Sequence, residues 1–372
     1  MPVVRLRRPV HGGNVYAASR ELSCDVRDLI DFSASINPLG PSPLVWKAVS
    51  KARHLLSHYP DPECWELRQA LARLWQCDVE QLVVGNGSME LIHALPSALK
   101  IRHLLLLQPT FAEYAATMAC AGGRVTGVSA KRSERYALPI DRLRKILRAR
   151  SKQSDSYDGI VLCNPNSPTG QVCDAADLME LAQAAERRGV WLIVDESFAD
   201  YCPERSLLPR NGQFARIVVL RSLTKFYALP GLRVGYAVAD APVVQQLRRH
   251  LPPWSVSAMG QVAALAALQD QTHAKRSLQF IARERVRFAA ALAVMPGCTV
   301  LPTYANFIFM ELPHGWHAAA MAARLRRDGV LIRNCSDMPG AGARSIRVAV
   351  RSRRDNDRLL RTLAGALRQG PA

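Results

Sequence analysis

Seven short apolar runs punctuate the first two thirds of the chain, near 82–84, 103–107, 124–128, 159–163, 190–194, 216–221 and 233–238, and stretches of helical period separate them. Runs apolar throughout, rather than alternating, are what strands buried on both faces require. Strand and helix in alternation predict an α/β fold with a mainly parallel seven-stranded sheet covered by helices on both faces. Beyond it, helical patterns over 256–294 precede short strand-like runs near 298–301, 306–311, 330–333 and 345–350, then a final helix. This predicts a second, smaller α/β unit. The expected division is an N-terminal arm, 1–37, packing with the small domain; a large domain, 38–251; and a C-terminal domain, 252–372. Pro252-Pro253 interrupts the helical run after Val243 and is the candidate hinge. The polar stretch Ala149 to Asp158 reads as a surface loop.

Composition narrows the function classes. With 372 residues, 49% of them apolar, the chain can bury one large core and a smaller second one. No apolar run reaches the 18 or so residues of a membrane span, and the amino terminus shows no signal-like apolar stretch. A cytoplasmic protein without membrane partners is expected. Nine cysteines without CxxC spacing read as reduced, buried thiols. His54 and His58 lie four apart on a predicted helix, but no third ligand accompanies them, so no metal is expected. Of 49 basic residues, 8 are Lys and 41 Arg, giving a net charge of +18. They are dispersed, and no zinc-finger, RNP or basic-zipper pattern goes with them, which argues against nucleic acid as partner. A basic field does favour anionic substrates.

The candidate chemistry centres on Arg221-Ser222-Leu223-Thr224-Lys225-Phe226-Tyr227-Ala228-Leu229-Pro230-Gly231-Leu232-Arg233. Lys225 follows an apolar strand on a short loop, with two hydroxyls and a guanidinium beside it. That set suits Schiff-base formation with an aldehyde cofactor whose phosphate Ser222, Thr224 and Arg233 hold; pyridoxal 5'-phosphate meets these demands. SxxK also opens the serine-acylation motif of β-lactamases, but the SDN and KTG partners of that motif are absent. Upstream, the run Val190 to Val194 ends in Asp195, which a doubly wound sheet would point into its ligand crevice. An anion there keeps a pyridine nitrogen protonated; the other reading is a helix N-cap. Gly85-Asn86-Gly87-Ser88-Met89 is a strand, glycine turn and helix start, leaving the Ser88 and Met89 amides for a phosphate. Asn164-Pro165-Asn166-Ser167-Pro168-Thr169-Gly170 is a stiff polar turn that can carry Asn166 or Ser167 to a cofactor's phenolic oxygen.

The order GNGS, NPNSPTG, VDES, SLTKFYALPGLRVGY resembles the fold-type I pyridoxal-phosphate enzymes, most of all the branch of histidinol-phosphate aminotransferases and threonine-phosphate decarboxylases. HGGNVYAASRE, DFSASINPLGPSP, Pro253-Trp254-Ser255-Val256 and LIRNCSDMPG resemble the decarboxylases of cobalamin biosynthesis. The resemblance implies decarboxylation of threonine phosphate, or else histidinol-phosphate-type transamination. It gives Lys225 the Schiff base, Asp195 the ring nitrogen, and Gly87, Ser88, Ser222 and Arg233 the phosphate. Phe111 would stack on the ring. Tyr59 would reach the neighbouring subunit's cofactor phosphate, which makes the protein a homodimer. Arg333 and Arg347 would anchor a phosphorylated amino acid, with His11, Gly12 and Ser35 from the arm. The chain departs from the pattern at Ser167 and Ser35, where Asn is usual, and at Phe198, where the aminotransferases carry Tyr. The last change leans toward the decarboxylases.

Overall fold

The computed structural model describes residues 11–149, 156–208 and 215–371. Residues 150–155 of the loop expected over 149–158 lie outside them, as do the first ten residues of the arm. The strands, in chain order, are β1 (Ile30–Asp31), β2 (Leu82–Asn86), β3 (His103–Gln108), β4 (Arg124–Ser129), β5 (Gly159–Cys163), β6 (Trp191–Asp195), β7 (Ile217–Ser222), β8 (Val234–Ala239), β9 (Thr299–Val300), β10 (Phe307–Glu311), β11 (Val330–Leu331), β12 (Arg333–Asn334) and β13 (Ser345–Ala349). Among the described residues, seven strands form one sheet in the order β2-β8-β7-β6-β5-β3-β4. Only β8 runs against the others, pairing antiparallel with both β2 and β7. The carboxyl ends of the remaining six therefore open on one edge, where a doubly wound sheet binds its ligand.

Period two along these strands divides their side chains between two cores. Leu82, Leu105, Ile160, Leu192 and Val219 pack with Leu67, Leu71, Leu181 and Ala264 on one face. Val83, Leu104, Val161, Ile193 and Val218 pack with Leu91, Leu95, Met118 and Val244 on the other. Each such aliphatic side chain, fully buried, stabilises the fold by about 1.5–3 kcal/mol, so one charge facing either core would be strongly destabilising.

The second sheet, order β12-β13-β10-β9, is antiparallel, and β1 pairs in parallel with β11. Its core includes Phe307, Met310, Ile346 and Val348 packed with Phe288, Met321, Leu359 and Leu363, and takes in Phe32 from the arm and Phe198 and Phe226 from the large sheet's turns. One sequence expectation is sharpened and one needs correction. The helical pattern over 256–294 is two helices, Ala258–Gln269 and Gln271–Ala293, because Asp270 turns its carboxylate back to accept from the His273 amide and caps the second. Residues 52–57 form a 3₁₀ helix, with His58 beyond it in extended backbone, so His54 and His58 do not share an α-helical face. The helix before Pro252-Pro253, Ala241–Arg248, ends ahead of the prolines.

Candidate active site

A cavity of about 310 Å³ lies where the large sheet's carboxyl edge meets the small sheet and the arm. Lys225, Asp195, Ser88, Met89, Phe111, Ser167, Ser222, Thr224, Arg233, His11, Gly12, Ser35, Arg333 and Arg347 all line it. Three of the expected residues do not. Gly87 lies behind the wall against Arg233, Asn166 is buried in its turn, and Tyr59 is 81% exposed elsewhere, stacked on Trp254 with ring centroids 4.8 Å apart.

The floor is built from strand ends. β6 delivers Asp195, whose Oδ1 accepts from the Ser197 amide at 2.8 Å and whose Oδ2 accepts from the Tyr114 hydroxyl. The helical turn that follows, Ala199–Tyr201, takes Phe198 as its N-cap residue, so Asp195 caps no helix. Burial, and next the Asp195 charge, push the Tyr114 phenol well above its ordinary range, so it remains a donor. Cys163 at the end of β5 is aligned with Asp195, and burial raises its thiol to about 12. It is a wall rather than a nucleophile.

β7 ends at Ser222, and the turn after it brings Lys225 to the cavity. The arm secures that turn: the Asn37 amide donates to the Lys225 carbonyl at 3.0 Å, and Asn37 Nδ2 to the Phe226 carbonyl at 2.9 Å. Burial, followed by the nearby positive Arg347 and Arg233, lowers the Lys225 amine to about 8. A sizeable neutral fraction is then present near neutral pH, as a nucleophile requires.

Beside Lys225, the Ser222 and Thr224 hydroxyls are 2.7 Å apart and face the first turn of the helix Gly87–Ala98 across the cavity. Gly87 has φ +74°, and a Cβ there would stand 2.7 Å from Arg233 Nη2. A Cβ on Gly235 would collide with the Ser88 amide. Glycine at both positions leaves a cradle of amide, hydroxyls and guanidinium, a donor set for a phosphate.

The opposite wall carries the arginines. Arg333 on β12 and Arg347 on β13 are register partners. Arg347 donates to Ser167 Oγ and the Ser33 carbonyl, both at 2.8 Å, and its cation lies 5.0 Å from the Phe307 ring centroid. Its Nε is buried without a partner, as is the Ser35 hydroxyl. Burial lowers the Arg347 guanidinium to about 10, with Cys335 opposing and Arg333 adding to the shift. Of the two candidates for the ring oxygen, Asn166 Nδ2 bonds Pro109 O at 3.0 Å and Thr169 Oγ1 at 2.8 Å, while Ser167 faces the cavity.

Sequence reasoning missed Tyr114, Ser33 and Glu113. Tyr114 was visible in the motif that supplied Phe111, whose ring it meets edge-on at 6.0 Å. Glu113 lines the mouth and accepts from His11 Nε2, and the His11 ring packs 5.3 Å from that of Phe111. Ser33, which bonds the Gly13 amide and the Asp31 carboxylate, had no local signal.

The family model described as aminotransferase class I and II matches residues 27–363. A threonine-phosphate decarboxylase of Salmonella typhimurium is 36% identical over 359 residues, 96% of this chain and 96% of that protein. A histidinol-phosphate aminotransferase of Moorella thermoacetica is 31% identical over 97% of this chain and 91% of its own length. Among solved structures, histidinol-phosphate aminotransferase from Sinorhizobium meliloti in complex with pyridoxal-5'-phosphate is similar with a TM-score of 0.85 at 24% identity, over 99% of each chain.

Proposed function

The chain belongs to the class I and II aminotransferase family, which is pyridoxal-phosphate-dependent, and within it we propose that it decarboxylates L-threonine O-3-phosphate to 1-aminopropan-2-yl phosphate for cobalamin synthesis. The residues present fit the cofactor. The glycine-lined cradle suits its phosphate, Asp195 its ring nitrogen, Phe111 its ring face and Lys225 its aldehyde. When bound, pyridoxal phosphate supplies a carbonyl that condenses with amines and a cationic ring that withdraws electrons from the bond being broken.

Asp195, itself held by Tyr114 and the Ser197 amide, keeps a proton on that ring nitrogen by its charge. Lys225, lowered to about 8, offers a neutral amine and afterwards holds or returns a proton beside the substrate's Cα. Arg333 and Arg347 bind the substrate's two anionic groups and fix which substituent of Cα is presented for cleavage. Phe198 packs edge-on against Phe307, 5.0 Å between centroids, and places no hydroxyl in the cavity where the aminotransferases have one.

The observation that carries the reading is the pair of guanidiniums on one wall. Threonine phosphate brings a phosphate and a carboxylate for that pair to hold at once, whereas in transamination histidinol phosphate brings a phosphate alone and only the 2-oxoglutarate acceptor brings two anions. The exposed Tyr59 is proposed to serve the cofactor phosphate of a second subunit in a homodimer. Among the described residues no helix is long and apolar enough to cross a membrane.

The test is incubation of the purified, cofactor-loaded protein with threonine phosphate and no keto acid. Release of carbon dioxide with a phosphorylated amine left behind is expected. Consumption of histidinol phosphate that needs 2-oxoglutarate, with no carbon dioxide from threonine phosphate, would overturn the reading.

A further inference from the structure

The two wall arginines are held differently. Arg347 donates only to neutral oxygens, those of Ser167 and Ser33. Arg333 turns the fork of its guanidinium to a carboxylate: Nη2 lies 3.2 Å and 3.3 Å from the two oxygens of Asp337, and Nη1 3.4 Å from Oδ2. All three distances exceed the roughly 2.7–2.9 Å of a well-formed charge-assisted bond. Arg333 is 6% exposed, while the Asp337 side chain is 40% exposed. The cation is therefore confined at the cavity, and its partner can pass into water with little loss of hydration. Asp337 sits in the turn after β12, and the next residue, Met338, lines the cavity.

From this geometry we infer that Asp337 is a resident competitor for the substrate's phosphate: it occupies the Arg333 fork until the phosphate displaces it into solvent. The inference rests on the reading of Arg333 as a substrate anchor. A carboxylate arriving from solution gains little by replacing one already tethered in place, whereas a phosphate dianion gains a second charge. Arg333 thus exchanges Asp337 for the phosphate.

The advantage lies in turnover. Substrate and product of a decarboxylase share the phosphate, so a grip equally tight on both raises affinity without raising the rate and delays product release. A carboxylate that returns to the fork weakens that grip uniformly. Asp337 acts through Arg333 and is a positioning residue, not a catalytic one.

The test uses the cofactor-loaded enzyme with inorganic phosphate as probe, its binding measured calorimetrically and as competitive inhibition. Asp337→Asn keeps the shape and removes the charge; it is expected to bind phosphate roughly two- to fivefold more tightly, the range for losing one partly exposed ion pair. KM for threonine phosphate falls in step while kcat stays level or drops. Asp337→Glu, which restores the charge, returns to wild-type affinity. Phosphate bound no tighter, or more weakly, by Asp337→Asn overturns the inference and makes Asp337 a prop for Arg333. Arg333→Lys separates the two levels: if it leaves phosphate binding unchanged, or wild type binds none, the anchor reading itself falls and this inference with it.

Discussion

The two walls of the cavity differ in how their polar groups are satisfied. On the large-sheet wall, Asp195 receives two hydrogen bonds and the Ser222 and Thr224 hydroxyls bond each other. Across from it, Arg347 keeps a buried Nε without a partner and Ser35 a buried hydroxyl without one. Unpaired buried donors cost free energy, and native folds retain few of them. One wall is finished by the fold and preorganised; the other keeps donors free for the substrate proposed to meet them. Lys225 stands between them, its amine lowered first by burial and then by a cation from each side, Arg347 and Arg233.

If the finished wall carries the chemistry, its loss is the most damaging. Lys225→Ala is expected to reduce turnover by three orders of magnitude or more and to abolish the visible absorbance of lysine-bound cofactor. Folding should survive, because the side chain faces the cavity and makes none of the apolar contacts of either core. Circular dichroism and the absorbance spectrum decide it. A folded variant with full activity would remove the premise of the comparison.

Asp195→Asn comes next. The amide keeps the size of the side chain but loses the charge, and its NH₂ would confront one of the two donors, the Ser197 amide or the Tyr114 hydroxyl, while its oxygen accepts from the other. Turnover is expected to fall by about 10²–10³, the loss typical of one preorganised electrostatic group, with cofactor affinity changed far less. Kinetics with equilibrium cofactor titration test it. Equal losses in both would mean that Asp195 holds the cofactor without tuning it.

The same contrast explains what could be read from the chain beforehand. The seven-stranded sheet was legible because strands buried on both faces are apolar throughout, as Leu104 to Leu107 and Ile217 to Leu220 are. Lys225, Asp195 and Ser222 were legible for a related reason: a parallel sheet puts every strand end at one edge, so position in the local pattern implies position in space. The second wall has no such rule. Ser33 meets Arg347 across 314 residues and Ser167 meets it across 180, and neither pairing leaves a local trace. Arg333 and Arg347 were picked from 41 arginines by motif resemblance alone. Asp270 shows the same limit at small scale. A single capping aspartate divides an otherwise continuous helical pattern, and periodicity cannot see it.

Arg347→Lys probes the unfinished wall. An ammonium retains the charge but cannot span Ser167 and Ser33 while also presenting a fork to a carboxylate. A rise in KM for threonine phosphate of roughly 10- to 100-fold is expected, with the cofactor spectrum unchanged. Steady-state kinetics and absorbance together check it. A shifted spectrum with unchanged KM would place Arg347 on the finished wall and erase the distinction.

The smallest effect belongs to Tyr59, which lies on neither wall of its own cavity. Its ring is fixed against Trp254, with 29° between the planes, and most of its surface faces outward. A side chain anchored in this way can deliver a hydroxyl to a second subunit with little entropy left to lose. Tyr59→Phe preserves the stacking and removes one hydrogen bond to a charged acceptor. Cofactor retention should weaken by about 1–2 kcal/mol, near a tenfold rise in the dissociation constant, with kcat at saturating cofactor close to wild type. Mixing Tyr59→Phe with Lys225→Ala subunits gives the sharper reading. A hybrid dimer would hold one cavity with both lesions and one with neither, so activity with wild-type cofactor affinity should appear on mixing. If it does not, Tyr59 contributes nothing across subunits, and the finished wall is complete within a single chain.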